Sequence, residues 1–388
     1  MTPPRDEVPA KRQRGASIRD VARLAGVSAG TASRVLSGSS YPVSDHARQR
    51  VEEAARALNY VTNSAARALV TGRSEIVGAI VHDITDPFFS AVVRGLQDAA
   101  VADGLVVLVG NDDRDAAKLE GYLTMLLSQK PTGVVLIGGQ LRDPAATLPV
   151  ALAVQRLREQ GVPVVAVGRY ELDIPHVAVD DVAAAECAVS HLTALGHRRV
   201  AFLGGPLNST TVQDRYSGYG AALMHVGEPL DEQLVVQTPL TFEGGAQAIA
   251  RLVAAGAPFT AVFCATDEVA FGAMSALREH GLRVPLDVSV AGFNDVVMSA
   301  HSDPPLTTIH VPARDLGLAA WHLLVPDRSR VAESVGEYLP FKLILRSSTA
   351  RPGHGVSVDR AAMGEADGAS RPSSVVAGSV AIDHEDGE

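Results

Sequence analysis

Near the N-terminus, apolar residues recur three and four positions apart, which is the spacing of short amphipathic helices. Ser17 with Asp20 three residues later has the pattern of a capping box, and Gly26 predicts the end of that helix. Ser28 and Ser44 are placed as N-caps of a second and a third helix. The predicted core is formed by Ile18, Val21, Ala22, Leu24, Ala25, Ala32, Val35, Val51, Ala54, Ala55 and Leu58. The short turn between the first two helices is typical of a helix-turn-helix.

From residue 75 onward the pattern changes to short, wholly apolar runs separated by longer amphipathic stretches. Wholly apolar runs are typical of strands that are buried on both faces of a parallel sheet. The predicted strands are 76–81, 106–109, 133–137, 164–167, 200–203, 261–264 and 288–291. The predicted helices are 89–102, 118–129, 183–195, 246–254 and 269–279. Such alternation predicts parallel sheets with helices on both faces, and seven strands suit two sheets better than one.

The composition is that of a globular protein of two or three domains, with 388 residues, 46% apolar and 20% charged. No run of eighteen apolar residues occurs, and no apolar stretch follows the basic N-terminal residues. We therefore expect neither a membrane span nor a signal peptide. Cys187 and Cys264 lack metal-ligand spacing and are interpreted as buried thiols in a reducing cytoplasm.

Charge is distributed unevenly along the chain. The net charge is −10, yet residues 1–72 contain 11 basic and 6 acidic residues, which leaves −15 for the remaining 316 residues. A basic head on an acidic body is expected when only the head meets nucleic acid. The outer face of the second helix carries Ser28, Thr31, Ser33 and Arg34, which suit phosphate oxygens and, for arginine, guanine. A small helical bundle with solvated charges is the alternative interpretation.

The two ends of the chain show no periodicity. Residues 1–16 are polar and contain the basic cluster KRQR, and residues 351–388 are rich in Gly, Ser, Ala, Asp and Glu. We interpret both segments as disordered. The N-terminal arm either adds weak attraction to phosphates or is a plain flexible terminus. The tail has no leucine heptad that would support a coiled-coil tetramer.

Several motifs resemble those of the lactose-repressor/galactose-repressor family of bacterial transcription regulators. In the N-terminal part these are DVARLAGVS at 20–28, TASRVLSG at 31–38, RVxxAAxxLNY at 50–60, NSxARxL at 63–69 and DxxxPFF at 83–89. Further along they are GHRRVAFLGGP at 196–206, LxVPxDVSVAGFND at 282–295 and LTTI at 306–309. The motifs occur in the order of the family over about residues 17–350, so the resemblance covers nearly the whole folded chain.

The resemblance implies an all-α helix-turn-helix head and an α/β body similar to periplasmic binding proteins, made of two doubly wound parallel-sheet lobes. The expected segments are the helix-turn-helix domain at 17–62, a hinge at 63–74, and an effector-binding and dimerisation domain at 75–350. Lobe one is expected at 75–174 and 305–330, and lobe two at 175–304 and 331–350. The chain is expected to recross between the lobes at 306–311 and to finish with 341–346.

The resemblance also implies which residues contact DNA. Ala29 and Gly30 match the positions that usually read base edges, but alanine touches only a thymine methyl group and glycine reads nothing. Arg34 is therefore expected to carry most of the direct readout. Contacts to the DNA backbone are expected from Ser28, Thr31, Ser33, Tyr41 and Tyr60.

The segment after Tyr60 matches the hinge helix of the family. Asn63 can cap a helix of only about two turns, which is unstable alone in water. By resemblance this helix forms when two subunits sit together on DNA, with Leu69 wedged between base pairs in the minor groove and Ala66 beside it. The alternative is a rigid linker with Leu69 packed on the body.

Polar and aromatic residues that directly follow the predicted strands are candidates for a ligand site, because ligands bind at the carboxyl ends of parallel strands. The candidates are Phe88, Asp113, Arg169, Thr211, Arg215, Thr266 and Asn294, of which all but Arg169 match effector-contacting positions of the family. The family often has Asn where this chain has Thr266, and Asp where it has Asn294. Each residue has the alternative role of capping a loop or packing a lobe.

Neither a metal nor a cofactor is expected. His82 and His310 have no carboxylate or cysteine at metal-ligand spacing, so both are interpreted as structural. We therefore expect a homodimeric repressor that binds a near-palindromic DNA operator under the control of a small molecule, with a carbohydrate as the default effector. A transport receptor would have the same lobes but no use for residues 17–69. An enzyme is disfavoured because no Gly-rich dinucleotide loop, phosphate loop or G-x-S-x-G motif is present.

Overall fold

The computed structural model describes residues 16–37, 41–60, 74–325 and 336–353. The head contains the three predicted helices, α1 (Ile18–Ala25), α2 (Ala29–Leu36) and α3 (Asp45–Ala57). The backbone N–H of Ser17 donates to the Asp20 carboxylate at 3.0 Å, and the Ser17 hydroxyl accepts from the Asp20 N–H, so the capping box is confirmed. Gly26 ends α1 with a left-handed φ of 62°. The local signals therefore placed all three helices.

Among the described residues, the buried part of the core of the head consists of alanine and valine side chains. Its buried residues are Val21, Ala22, Ala25, Ala32, Val35, Val51, Ala54 and Ala55. Leu24 was expected in this core, but 58% of it is exposed. Each residue turns a helix by about 100°, which places Leu24 beside the stripe of Val21, Ala22 and Ala25 that the other two helices cover.

In the part of the body that the structure describes, each lobe contains one six-stranded sheet. In lobe one the strands are β1 (Ile76–Val81), β2 (Val106–Asn111), β3 (Gly133–Ile137), β4 (Val164–Val167), β5 (His176–Ala178) and β11 (Gly336–Tyr338), and their spatial order is β11-β5-β4-β3-β1-β2. All pairs of this sheet are parallel. The register sets Val81 beside Asn111 and Ile137, so the carboxyl ends of the central strands share one edge.

The sheet of lobe two has the same arrangement, apart from one strand. Its strands are β6 (Val200–Gly204), β7 (Val235–Gln237), β8 (Ala261–Cys264), β9 (Ser289–Asn294), β10 (Thr307–His310) and β12 (Lys342–Ile344), in the order β12-β10-β9-β8-β6-β7. Only β12 runs antiparallel to its neighbour. Two doubly wound lobes were predicted, and the sheets have that form.

The predicted lobe boundaries differ from the observed ones. β5 was assigned to lobe two but pairs with β4 in lobe one, and β10 was assigned to lobe one but pairs with β9 in lobe two. β11 was assigned to lobe two but extends the sheet of lobe one. The chain therefore passes between the lobes three times, after β5, after β10 and after β11. β5 and β11 have only three residues and β10 begins with two threonines, so none of them forms a wholly apolar run and only pairing assigns them to a lobe.

Helices cover both faces of the two sheets. They are α4 (Pro87–Ala102), α5 (Ala116–Gln129), α6 (Pro144–Glu159), α7 (Asp181–Ala194), α8 (Thr210–His225), α9 (Phe242–Ala254), α10 (Asp267–Glu279) and α11 (Ala313–Leu324). Sequence patterns did not predict α6, α8 or α11. Pro149 lies inside α6, and α8 contains Gly218 and Gly220, so their intrinsic helix propensity is low. Within the described ranges, no helix is long and apolar enough to cross a membrane.

Helix α11 returns the chain from lobe two to lobe one by packing on α4. A Cβ atom on Gly95 would lie 2.0 Å from the carbonyl oxygen of Arg314, and one on Gly317 would lie 2.0 Å from that of Val92. Only glycine allows the two backbones to approach this closely. The two glycines therefore allow α11, which follows β10 of lobe two, to pack closely on α4 of lobe one.

Candidate effector site and nucleic-acid interface

A cavity lies between the lobes at the carboxyl ends of the sheet strands. Its walls are formed by His82, Asp86, Phe88, Phe89, Arg114, Gly138, Gly139, Ser209, Thr211, Val212, Arg215, Leu240, Thr266 and Asn294. Five of the seven candidate residues from the sequence lie in these walls: Phe88, Thr211, Arg215, Thr266 and Asn294. Both lobes therefore contribute side chains to one shared cavity, as expected for a ligand that binds between them.

In the wall of lobe two, Arg215 is already paired. Its Nε donates to Asp181 at 2.8 Å, its Nη1 donates to the carbonyl oxygen of Ala265 at 2.5 Å, and its guanidinium lies 3.8 Å over the Phe293 ring. Burial raises the pKa of Asp181, and the nearby charge of Arg215 partly offsets this. The positive charge of Arg215 is therefore neutralised within the protein, and its side chain is held rigidly.

Asn294 stands at the end of β9 with a strained backbone. Its φ is 119°, only 7% of the residue is exposed, and its Oδ1 has no hydrogen-bond partner among the described residues. Thr266 uses its hydroxyl as the N-cap of α10, where it accepts from Val269 N–H at 3.3 Å. A buried acceptor without a donor costs free energy, so Asn294 is available to a donor in the cavity.

Asp267 lies directly behind this wall, and the sequence places it, with Thr266, directly after a predicted strand. Its Oδ2 accepts from Val296 N–H at 2.9 Å and from the Ser299 hydroxyl at 2.8 Å. Its Oδ1 accepts from the Thr308 hydroxyl at 2.6 Å. Burial raises the pKa of Asp267, whereas these three hydrogen bonds lower it. The network joins the N-terminus of α10 to the segments after β9 and in β10, and so positions Asn294.

In the wall of lobe one, a chain of hydrogen bonds leads to Arg114. His82 contacts Asp112 through Nδ1 and the carbonyl oxygen of Gly139 through Nε2, each at 2.8 Å. Asp112 accepts from the backbone N–H of Arg114 at 2.8 Å, and Arg114 adopts a φ of 60°. Burial lowers the pKa of Arg114, and the charges of Asp86 and Asp112 partly offset this. His82 thus has the structural role predicted for it, and the side chain of Arg114 enters the cavity.

Asp86 lies in the candidate segment after the first strand, but the sequence did not predict a role for it individually. It is the N-cap of α4 and accepts from Phe88 N–H at 2.8 Å. Burial raises the pKa of Asp86, and the hydrogen bond from Phe88 partly offsets this. An Asp followed by Pro is the typical start of a helix, and this signal in the D-P-F-F run could have identified it. Phe89 is buried and packs edge-on against the ring of His82.

Two candidates from the sequence lie away from the cavity, and both need correction. Asp113 turns outward with 53% of its side chain exposed, and pairs with Lys118 at 2.5 Å. Its left-handed φ of 52° directs the chain so that Arg114 faces the cavity instead. Arg169 is held by both carboxylate oxygens of Asp214 in lobe two, at 2.8 and 2.5 Å.

Arg169 belongs to a contact that joins the lobes at one side of the cavity. Gln140 and Thr210 exchange hydrogen bonds, from Gln140 N–H to the Thr210 hydroxyl and from Thr210 N–H to the Gln140 carbonyl, each at 2.9 Å. Arg142 donates from its backbone to Asn208 at 2.7 Å. A Cβ atom on residue 139, which is glycine, would lie 2.3 Å from the Thr211 hydroxyl. The lobes therefore meet closely beside the cavity.

A second cavity lies mainly within lobe one and borders the first. The two cavities share four wall residues: His82, Arg114, Gly139 and Ser209. The inner wall of the second cavity is mostly apolar and includes Leu119, Val150 and the buried Tyr170. Burial raises the pKa of Tyr170 well above its usual range, so the phenol stays protonated. Arg114 stands at the boundary of both cavities.

The second helix of the head exposes the residues that were matched to base-reading positions. Ala29, Gly30 and Arg34 are exposed, and the Arg34 guanidinium lies 4.3 Å over the ring of Tyr41. Ser28 caps the helix by accepting from Thr31 N–H at 3.0 Å. The outer surface of α2 is therefore not buried against the other two helices of the head.

The remaining positions that were matched to DNA contacts differ in their surroundings. Thr31 and Ser33 are half-buried on α2, and Tyr60 packs against the core of the head. Asn63, Ala66 and Leu69 lie outside the described residues, as do most of the N-terminal arm and the C-terminal tail.

No group of three His, Cys, Asp or Glu residues that could hold a metal ion occurs in the part of the chain that the structure describes. Cys264 is buried and Cys187 is half-buried, and burial raises the pKa of both thiols. His310 contacts Asp295 at 3.0 Å, and Asp295 also pairs with Arg346. The contacts of Asp295 with His310 and Arg346 hold the end of lobe two together.

Comparison with known proteins gives matches in both parts of the chain. The family described as "Bacterial regulatory proteins, lacI family" matches residues 17–63, and "Periplasmic binding proteins and sugar binding domain of LacI family" matches residues 74–336. HTH-type transcriptional repressor CytR of Escherichia coli (strain K12) is 33% identical over 342 residues, which cover 87% of this chain and 98% of that repressor.

Two solved structures are similar over most of the chain. The complex of transcriptional regulator CelR with cellobiose is 32% identical, has a TM-score of 0.63, and covers 86% of this chain and 99% of its own. The crystal structure of the Lac repressor dimer bound to operator and the anti-inducer ONPF is 28% identical, with a TM-score of 0.75 and coverage of 87% and 100%.

Proposed function

Since this chain belongs to the LacI family of bacterial regulatory proteins, we propose how its parts act: two heads read a near-palindromic operator, and a sugar held between the lobes controls that binding. The protein is a DNA-binding transcription regulator of the repressor type, and its relatives are regulators, not enzymes. The observation that carries the proposal is the cavity whose walls combine polar side chains from both lobes. As a DNA-binding regulator it acts in the cytoplasm, where it associates with the nucleoid.

Reading of the operator falls mainly to Arg34. Ala29 and Gly30 occupy the neighbouring exposed positions and offer few or no base contacts, whereas the Arg34 guanidinium is held over Tyr41 on the exposed face of α2. Arginine binds both acceptors of a guanine in the major groove, which discriminates by about 1–3 kcal/mol. Ser28, Thr31, Ser33, Tyr41 and Tyr60 position the DNA backbone.

The base contact is tested by selecting DNA sites with the intact protein and with Arg34→Ala. We expect the variant to lose preference at one G·C pair in each half-site while retaining the others. Arg56→Ala, on the exposed face of α3, is the matched control and should leave the preferred sequence unchanged. An unchanged preference at every position in Arg34→Ala would contradict the assignment.

Control by the effector depends on the relative arrangement of the lobes. Phe88 of lobe one and Thr211, Arg215, Thr266 and Asn294 of lobe two line the same cavity, so a ligand there favours one lobe arrangement. The hinge at 63–74, with Asn63, Ala66 and Leu69 entering the minor groove, transmits that arrangement to the heads. Coupling of this kind typically amounts to about 1–3 kcal/mol.

Gel-shift titration of an operator with and without saturating sugar tests the coupling. The midpoint should move by roughly 5- to 150-fold, towards weaker binding for an inducer or tighter binding for a corepressor. Cellobiose is a rational first probe, because it is the ligand of the similar CelR complex. If the fragment 75–350 bound operator DNA as well as the intact chain, the assignment of DNA binding to the head would be wrong.

The exposed edge of lobe one supports a homodimer. β2 is an edge strand, and Val106 and Leu108 on it are exposed, as is Met125 on the neighbouring helix α5. Exposed edge strands with apolar side chains favour pairing with another chain. The similar Lac repressor structure is a dimer on its operator. Leu108→Asp should shift the sedimentation coefficient towards the monomer, whereas Leu148→Asp, an exposed leucine on α6, should not.

A further inference from the structure

Arg114 is a guanidinium in the cavity wall that has no hydrogen-bond acceptor among the described residues. Its backbone, in contrast, is held by Asp112, which is itself held by His82. The other guanidinium of the cavity, that of Arg215, donates to Asp181 and to the carbonyl oxygen of Ala265. Arginine side chains that are partly removed from water and lack an acceptor lose favourable interactions, so Arg114 is placed to bind an oxygen of a ligand.

A second unsatisfied group lines the same cavity from the other lobe. Asn294 is more than nine-tenths buried, lines the same cavity, and leaves its Oδ1 without a donor. A ligand that spans the cavity thus meets a donor in lobe one and an acceptor in lobe two. Hydroxyl groups satisfy both, because each hydroxyl donates one hydrogen bond and accepts others.

The side chains around Arg114 carry a net negative charge. Asp86 and Asp112 lie close to it, and Asp115 lines the adjoining cavity. Glu268 of lobe two adds a carboxyl group near Asp86. Three carboxyl groups, those of Asp86, Asp112 and Asp83, act on the unpaired guanidinium of Arg114, so an anionic ligand would meet like charge in a partly desolvated space.

We propose that Arg114 is a specificity-determining residue, which binds an uncharged oxygen of the effector while the surrounding carboxyl groups exclude phosphorylated and acidic ligands. The effector class is a neutral polyhydroxyl compound, a sugar or a nucleoside, that reaches from Arg114 to Asn294. This inference rests on the proposed function, because it refines which ligand the cavity between the lobes accepts. Asp86 is the matching determinant, since its carboxylate lies in the same wall and faces the same space.

The first test is thermal unfolding of the full-length protein with matched pairs of ligands. The pairs are D-glucose and glucose 6-phosphate, D-ribose and ribose 5-phosphate, and uridine and uridine 5′-monophosphate, with cellobiose in addition. We expect at least one neutral compound to raise Tm and to bind at least about tenfold tighter than its phosphorylated partner. Tighter binding of a phosphorylated member, or no shift with any neutral compound, would overturn the proposal.

The second test compares variants by calorimetric titration with the neutral ligand so found. Arg114→Ala should weaken binding by about 10- to 100-fold. Arg114→Lys keeps the charge but loses the planar set of guanidinium donors, so its affinity should lie between those of the wild type and Arg114→Ala. Lys118→Ala, whose partner Asp113 points away from the cavity, is the control and should bind normally. Wild-type affinity in an Arg114→Ala protein with unchanged ligand-free Tm would refute the role of Arg114.

Asp86→Asn tests the exclusion of anionic ligands separately from the contact that Arg114 makes with the effector. Asparagine also caps helices well, so the start of α4 should be retained. Loss of the negative charge should narrow the preference for the neutral over the phosphorylated ligand by several-fold. An unchanged preference would exclude Asp86 as the determinant that rejects anions.

Gel-shift titrations with the same compounds distinguish failure of this inference from failure of the proposed function. If a phosphorylated compound binds and shifts the operator midpoint, the protein is a ligand-controlled regulator but the inference is wrong. If a neutral compound binds through Arg114 and leaves the midpoint unchanged, the inference holds and the control of DNA binding by the cavity does not.

Discussion

The head and the body place their recognition residues in opposite environments. The buried core of the head consists only of alanine and valine, and Arg34 lies on its surface over an exposed Tyr41. The body buries aromatic side chains such as Tyr219 and Phe263, and it also buries the charged Asp267 and Arg215. A small core provides little stability, so the head depends on each valine and each helix cap. The larger core of the body can accommodate ionisable side chains, provided that they are paired, as Arg215 is, or hydrogen-bonded, as Asp267 is.

The two stacked arginines show the same difference. Arg34 has no ion-pair partner among the described residues and rests on Tyr41, an exposed arrangement typically worth about 0.5–1 kcal/mol. Arg215 lies over Phe293 and is bound to Asp181 and Ala265 within the protein. Arg34 can leave its ring for a base at little cost, whereas Arg215 serves to hold the cavity wall in place.

The largest effect is expected from Asp267→Ala. The carboxylate is fully buried and accepts from Val296, Ser299 and Thr308, so its loss leaves three donors without a partner. We expect the free energy of unfolding of the body to fall by about 3–5 kcal/mol, as measured by urea denaturation. Glu279→Ala, at the exposed end of the same helix, should change it by less than about 0.5 kcal/mol. If Asp267→Ala lowered the free energy of unfolding no more than Glu279→Ala does, the buried network would not stabilise the body, and the contrast with the head would be lost.

Val51→Ala should have the next largest effect, confined to the head. Val51 is fully buried between the head helices, and removal of two methyl groups from so small a core should cost about 2 kcal/mol. Amide hydrogen exchange in the intact chain should then show protection of α1 to α3 reduced by about thirtyfold. Glu52→Ala, on the exposed face of α3, is the control. Equal loss of protection in the body would mean that the two regions do not unfold independently.

Ser28→Ala should destabilise the head by about 1 kcal/mol through loss of the N-cap of α2. The Ser28 hydroxyl accepts from Thr31 N–H at 3.0 Å, and alanine leaves that donor to water. Hydrogen exchange of α2 measures the change. Ser33→Ala removes a hydroxyl from the middle of the same helix and should not lower its protection. If both variants behave alike, the cap is not what stabilises α2.

The smallest effect is a pH dependence of opposite sign in the two regions. Burial raises the pKa of Asp86, Asp181 and Asp267, so each contributes stability at low pH that is lost as pH rises through its folded pKa. In the head, hydrogen bonds from Ser17 lower the pKa of Asp20 below its ordinary 3.8. That contribution is present above about pH 4 and is lost as pH falls through the folded pKa.

Acidification from about pH 6 to about pH 4, close to the ordinary carboxyl pKa, should therefore stabilise the body through these three groups. The head should stay nearly unchanged, because the contribution of Asp20 is lost only at lower pH. Thermal unfolding followed by the Tm of the body, together with hydrogen exchange in α1, measures the two separately. Asp86→Asn should reduce the gain of the body. A decrease in the Tm of the body over this range would show that the buried carboxyl groups do not dominate its pH dependence.

The elements that the sequence predicted correctly are those with a local signal. Ser17, Gly26, Ser28 and Ser44 mark the ends of the head helices through their own hydrogen bonds and backbone preferences. The apolar runs of the central strands were equally readable, because a strand buried on both faces must be apolar throughout. Five of the seven effector candidates could be found because they directly follow such strands or match the family motifs.

What remained was decided by contacts between residues far apart in the chain. The three-residue strands β5 and β11 carry no pattern, and only pairing assigns each to a lobe, whereas β12 lies in lobe two as expected. The helices α6 and α8 form despite an internal proline and two glycines, because the sheets bury their apolar faces.

The direction of a side chain is likewise not encoded by its position after a strand. Asp113 and Arg114 follow β2 together, but consecutive left-handed residues turn the first towards Lys118 and the second into the cavity. Arg169 follows β4, but the partner that holds it, Asp214, lies in the other lobe. The sequence by itself determined the family, the two-part architecture and the edge of each sheet where ligands bind. The tertiary structure alone decided which charges at that edge are paired and which are left for a ligand, since each pairing depends on a residue brought near by the fold.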